Sequence, residues 1–533
     1  MAGAVPEGDI AHDTAPDTLS TTPKEATVSQ WLGAAAGWSV AILLILTPLP
    51  LLIGEGPGTL AITAAFAVGM TLLAACERGP ARRVFVQLAV VGLAVRGIAL
   101  LLLTWLESAS HAVVLGPDGV GFLRAIHAIL NAGFVLPRPS FEMFATYDTA
   151  HLYLFAGVVA TLGPGLMNLH AANCALTALL GPLTFGWVRL VAPKAALPAG
   201  LLVTFYPSII YLAATDLWKD PSVITATTLG LWAMAHLVHG DGDKWRLAAF
   251  TAVTGGAFWY VHTSRFYALW YLEVGVAAMA VMGLLRGWAV RRAAAAAVVS
   301  ALVVAEAGPV IAGWPPSPLF FVASIAQATN ATSLRYYSAG LLDDVAEGGR
   351  ARRNDGLTID AMDLGLPGPA NILQVDTDTA SAVPGRLGPI GSAVQIVRRV
   401  LGPFVWVLPP SWTPRAVLAG DYLLYPGMLF WYVLLPGMFV GLTVTGWRLV
   451  HGQAPFMLGA VWIFTVLYWA QFLVINLPYR QREALFPVLV VFAWLGVEHA
   501  RYRPWAGKAY AVYWMALVAI AAAHTLIRAM VAG

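Results

Sequence analysis

Apolar stretches of roughly 20 residues, the length that carries a helix across a bilayer, recur along nearly the whole chain. They lie near 35–53, 59–76, 83–105, 169–190, 196–214, 221–239, 246–263, 267–285, 293–312, 425–449, 455–475, 485–500 and 509–528. About thirteen such runs predict an all-α, polytopic transmembrane helical bundle. Composition agrees, with 59% of the 533 residues hydrophobic and only 11% charged; soluble domains carry about 25% charged residues. The net charge of +3 is too small to imply a nucleic-acid partner. The two cysteines, Cys76 and Cys174, lie in or beside apolar runs and imply no disulfide framework. Residues 1–30 are polar and lack both a basic start and an apolar core, so they read as a disordered tail and not a signal peptide.

Lys and Arg accumulate in short cytoplasmic loops. With the tail cytoplasmic and the apolar segment 150–166 not crossing, every short inside loop is basic: Arg78, Arg82 and Arg83; Arg189 and Lys194; Lys244 and Arg246; Arg286, Arg291 and Arg292; Arg448; Arg501, Arg503 and Lys508. A full crossing by 150–166 would invert everything downstream and turn these loops outward. The segment therefore reads as a re-entrant or interfacial helix. Two long segments, 106–168 and 313–424, then face outward. Within the second, 389–409 reads as amphipathic helix lying on the membrane. The organisation is a tail over 1–32, two helices over 33–82, a transmembrane core over 83–312 that includes the outer loop 106–168, a large outer loop over 313–424 and further spans over 425–533.

On this topology four polar groups share the outer face. Asp118 and Arg124 stand in Gly116-Pro-Asp-Gly-Val-Gly-Phe-Leu-Arg, and Asp216, Lys219 and Asp220 stand where a helix leaves the membrane. His262-Thr-Ser-Arg265 is expected at the outer end of a helix, and Asn476-Leu-Pro-Tyr-Arg-Gln-Arg-Glu483 joins two late spans. Arg265, Arg480 and Arg482 run against the insertion bias and point to an anion such as a lipid phosphate. Blander readings exist for each. Asp118 between Pro and Gly is ordinary turn chemistry, Asp220 suits a cap on the helix beginning at Pro221, and the arginines suit non-specific lipid headgroups. Asp148 and His151 are secondary acid/base candidates. Arg96, Glu273 and Glu306, within spans, suggest an internal ion pair, a polar cavity or a proton pathway. The His and Cys spacings close no metal site.

Taken together, these segments resemble the GT-C superfamily of integral-membrane glycosyltransferases, which includes protein O-mannosyltransferases, lipid A aminoarabinose transferases and bacterial family 39-like enzymes. The resemblance covers roughly residues 84–500. It rests on the first-loop Gly116-Pro-Asp118-Gly-Val-Gly-Phe122 and on a re-entrant segment before a helix pair over 150–190. It rests also on Pro207-Ser208…Tyr211…Lys219-Asp220 and on Tyr479-Arg-Gln-Arg-Glu-Ala-Leu-Phe-Pro487. The third phrase is the most specific. The chain departs from the pattern in having two spans (35–76) before the core, Phe122 as the aromatic after the first-loop acid, and Trp218 before the lysine.

The resemblance implies a polyprenyl-phosphate-linked sugar donor, a glycan, lipid or protein acceptor, and chemistry on the outer face of a bacterial inner membrane in cell-envelope polysaccharide biosynthesis. It implies Asp118 as catalytic base or acceptor-orienting carboxylate, with Lys219 neutralising the leaving phosphate. Asp220 would orient that phosphate or help hold a divalent cation, Mg or Mn, to which Asp118 is the other candidate ligand. Arg265, Arg480 and Arg482 would hold the lipid phosphate, with Tyr211, His262 and Tyr479 as further substrate contacts. Two other readings stay open. One is a polysaccharide polymerase or ligase using lipid-linked glycans. The other is a transporter or flippase of a lipid-linked sugar, for which the expected paired halves are not evident.

Overall fold

The structure, a computed structural model, describes residues 23–48, 57–110, 112–115, 117–134, 149–215, 217, 219–239, 244–285, 358–360, 371–374, 424–474 and 484–532. The predicted span 293–312, the surface helices at 389–409 and the tail up to residue 22 lie outside them.

In chain order the helices are α1 (Pro23–Leu46), α2 (Gly58–Cys76), α3 (Gly79–Ser110), α4 (Pro117–Asn131), α5 (Thr149–Leu162), α6 (Leu166–Ala178), α7 (Leu180–Val191) and α8 (Pro193–Thr204). They continue as α9 (Pro207–Thr215), α10 (Asp220–His239), α11 (Lys244–Leu285), α12 (Leu424–Val450), α13 (Phe456–Val474), α14 (Phe486–Ala500) and α15 (Ala506–Ala532). The body is helical, because in lipid a backbone must satisfy its own hydrogen bonds. Five helices are long and apolar enough to cross a membrane, or six if the bent pair α8–α9 is counted as one. The protein is a membrane protein.

A small three-stranded sheet adds to the helices. β1 (Ala112–Leu115) runs parallel to β3 (Asn371–Gln374), and β2 (Thr358–Asp360) runs antiparallel to β3. The sheet joins the segment after α3 to the segment expected as the second long loop. Strands in one sheet lie on one side of a bilayer, so these two stretches share a side.

The helices differ from the sequence expectation in three places. First, α1 reaches back to Pro23, inside the predicted tail. Second, the predicted span 196–214 is broken into α8 and α9, bent by 41°, whereas α5, at 14 residues or about 21 Å, is shorter than a hydrocarbon core of about 30 Å, as expected of a segment that does not cross. Third, 246–263 and 267–285 are not two helices. Together they form α11, one helix of 42 residues. No Gly or Pro interrupts His262-Thr-Ser-Arg-Phe-Tyr267, so nothing in that stretch stops the helix.

The main core gathers α3, α7, α8, α10, α11, α12, α13 and α14, with Trp187, Trp232, Phe258, Trp431, Phe464 and Tyr468 fully buried. Within it α12 and α14 run parallel: Trp431 meets Phe486 near their starts, and Gly437 meets Ala493 further along. Gly437 and Gly441 form a Gly-x-x-x-Gly step that lets the two backbones touch. A Cβ at Gly437 would stand 2.6 Å from the Ala493 carbonyl, and one at Gly441 would strike that of Phe492. A second core is a cap made by the first-loop helices. Phe122, Ile126 and Ile129 of α4 pack on Leu152, Phe155 and Val159 of α5, with Leu169 of α6 and Leu217 beneath.

Candidate functional site

The start of α10 and the cap above it bring His151 close to Lys219 and Asp220. Lys219 supplies the carbonyl that opens the helix, accepting from the Val223 amide at 3.0 Å and from the Ser222 hydroxyl at 2.8 Å. Asp220 is therefore the first residue of the helix and not a cap ahead of it. A carboxylate in a first turn is favoured by the helix dipole, and here it is 2% exposed. Lys219 is partly exposed beside it.

His151 pins the cap to this helix start. It is fully buried between Phe122 and Phe155, with ring centroids at 5.1 and 4.7 Å. Its Nδ1 lies 3.1 Å from Ser222 Oγ and its Nε2 lies 3.0 Å from the Leu217 carbonyl. A carbonyl only accepts, so Nε2 carries a proton. Buried, with Nε2 committed to Leu217 and Nδ1 against Ser222, His151 acts as a clamp between the cap and the start of α10.

Asp118 is placed in the first turn of α4 with Pro117 ahead of it, a helix start where the sequence suggested a turn. It precedes Phe122, the residue packed edge-on against His151, by one helical turn; its side chain lies outside what is described. Tyr211 is buried in α9, the helix that leads into Lys219. His262 and Arg265 fall in the interior of α11, not at a helix end, and α11 packs on both α10 and α5. The Arg265 side chain, Asp148, Asp216, Tyr479, Arg480 and Arg482 lie outside the described residues. Among the described residues no three of His, Cys, Asp and Glu stand together as a metal site.

The other end of α10 holds a second polar cluster, which sequence reasoning missed. Glu77, between α2 and α3, is fully buried. Its Oε2 accepts from Arg189 Nη2 of α7 at 2.7 Å, and its Oε1 accepts from Trp232 Nε1 at 2.9 Å and lies 3.2 Å from His236 Nε2, both of α10. The His236 ring lies parallel to Phe250 of α11, 4.7 Å away. Burial alone would raise the Glu77 pKa. The hydrogen bonds from His236 and Trp232 and the charges of His236 and Arg189 outweigh it and bring the group down to about 2. The signal was a lone acid in a loop otherwise basic (Arg78, Arg82, Arg83), with Trp232 and His236 one turn apart.

Arg96 is not matched with an acid among the described residues. It is fully buried and donates to the Thr177 hydroxyl and to the Gly92 and Thr204 carbonyls. No protein-family model, curated protein or solved structure matches this chain.

Proposed function

We propose that the protein is a membrane glycosyltransferase of GT-C type in a bacterial inner membrane. It moves a sugar from a polyprenyl-phosphate donor to an acceptor on the outer face. The observation that carries this reading is the meeting of the first-loop helix α4, through Phe122 and His151, with Lys219 and Asp220 at the start of α10. The shared sheet of β1 and β3 supports one outer side for the two long loops.

The chemistry follows from charge. The acceptor hydroxyl oxygen attacks the anomeric carbon as the bond from that carbon to the phosphate oxygen breaks. The hydroxyl proton passes to Asp118, and the phosphate leaves with the bonding pair. Negative charge then grows on the phosphate, where Lys219 and the positive end of α10 face it. Asp220 orients the phosphate or would help hold a divalent cation there. Arg480 and Arg482, with Arg265, serve the lipid phosphate, and Tyr211, His262 and Tyr479 line the approach.

The test is transfer from a panel of radiolabelled polyprenyl-phosphate sugars to acceptors in membranes holding the full chain. Asp118→Asn keeps shape and removes the base, so it should lower transfer by roughly 10²–10⁴-fold at unchanged protein level. Near-normal transfer in that variant removes Asp118 from the reaction.

A further inference from the structure

Resting on the site proposed above, we infer that Arg96 is a positioning residue. It holds the break between α8 and α9 shut and thereby fixes where Lys219 and Asp220 stand.

The break originates in the sequence. Pro207 has no N–H and its ring clashes with the carbonyl four residues back, so the helix ends at Thr204 and restarts at Pro207, bent by 41°. A helix end leaves carbonyls without intrahelical partners. The Arg96 guanidinium takes one of them. Nη1 donates to the Thr204 carbonyl at 3.2 Å and to the Gly92 carbonyl of its own helix at 3.1 Å, while Nε donates to the Thr177 hydroxyl of α6 at 2.9 Å. A fully buried cation that no described carboxylate pairs is thus set against the negative end of a half-helix.

One side chain ties α3, α6 and the end of α8 into a single knot. Cys174 lies at the same junction. Its sulfur is 3.9 Å from the Arg96 carbonyl and 3.7 Å from the Ala213 carbonyl of α9, so α9 covers it. The chain then runs from Thr215, the last residue of α9, to Lys219 in four residues. A swing of α9 about the break would uncover Cys174 and carry Lys219 and Asp220 away together.

Cys174 is therefore a native reporter, and Cys76, partly exposed at the end of α2, is its internal control. The experiment follows N-ethylmaleimide labelling of both cysteines in the full chain in detergent, read by mass spectrometry. In Arg96→Met, Cys174 should label about tenfold faster or more, as expected when a charge-assisted restraint on a local opening is lost, while the Cys76 rate stays unchanged. Arg96→Lys keeps a donor for the Thr204 carbonyl and should label close to wild type. An unchanged Cys174 rate in Arg96→Met, an equal rise at both cysteines, or an Arg96→Lys variant as reactive as Arg96→Met would each overturn the lock.

Labelling needs no sugar donor, so its result stands apart from that of the transfer assay. Arg96→Met should also lower transfer per folded molecule. Unaltered transfer with Cys174 uncovered would overturn the link from the break to Lys219.

Discussion

The two ends of α10 carry polar clusters of opposite character. At its C-terminal end Glu77 is sealed: three donors from two helices close on one carboxylate that has no exposure. At its N-terminal end His151 and Ser222 are locked together, but the charged pair next to them is not sealed, because Lys219 keeps access to solvent. A buried charge with both oxygens engaged by other helices is a staple between them. A partly exposed cation beside a buried acid, at the positive end of a helix, is the group that the proposed reaction sets against the leaving phosphate. The contrast predicts that damage at the C-terminal end costs stability and damage at the N-terminal end costs turnover.

The largest stability effect should come from Glu77→Ala. Removing one partner of a buried ion pair costs about 3–5 kcal/mol, and the low end applies because the Arg189 side chain is 33% exposed. Thermal unfolding of the purified protein in detergent checks this; a loss well under 1 kcal/mol, the scale of a surface pair, would dissolve the contrast.

His151→Phe should come next. The ring still fits between Phe122 and Phe155, but the Leu217 carbonyl loses its donor, at a cost of about 1–3 kcal/mol. Here, unlike at Glu77, transfer per folded molecule should fall as well, because the cap loosens over Lys219. Unfolding and transfer measured on one preparation separate the two effects.

The smallest effect is the acid dependence. Glu77 titrates at about 2 when folded, against an ordinary 4.5. Its contribution is therefore complete above about pH 4.5 and is lost as pH falls toward 2. Glu77→Gln should flatten that part of the stability profile, and an unchanged slope between pH 4.5 and 2 would show that Glu77 is not held as described.

Much of the fold was legible because span length is set by the bilayer: α2, α3, α10, α12, α13 and α14 begin and end within a few residues of their apolar runs. The continuity of α11 was not, because His262-Thr-Ser-Arg265 read as the outer end of a helix, although polarity without Gly or Pro does not stop one. Lys219 and Asp220 were legible as a phrase at a helix exit. The role of His151 was not, since its partners Leu217 and Ser222 come from a distant stretch of chain. Arg96 resisted reading for a different reason. Two of its three described partners are main-chain carbonyls, one exposed by a helix break, and a search for acidic side chains cannot find those. Glu77 draws on residues 112, 155 and 159 positions away, beyond any local pattern.

The most direct test sets Lys219→Ala beside Glu77→Gln, measuring transfer from a radiolabelled polyprenyl-phosphate sugar per folded molecule in membranes. Lys219→Ala should unfold at the wild-type temperature but transfer roughly 10²-fold more slowly, the scale of losing one stabiliser of a departing charge. Glu77→Gln should do the reverse, with a lower unfolding temperature and near-normal transfer by the molecules that remain folded. Wild-type transfer by Lys219→Ala would contradict a role for Lys219 at the leaving phosphate.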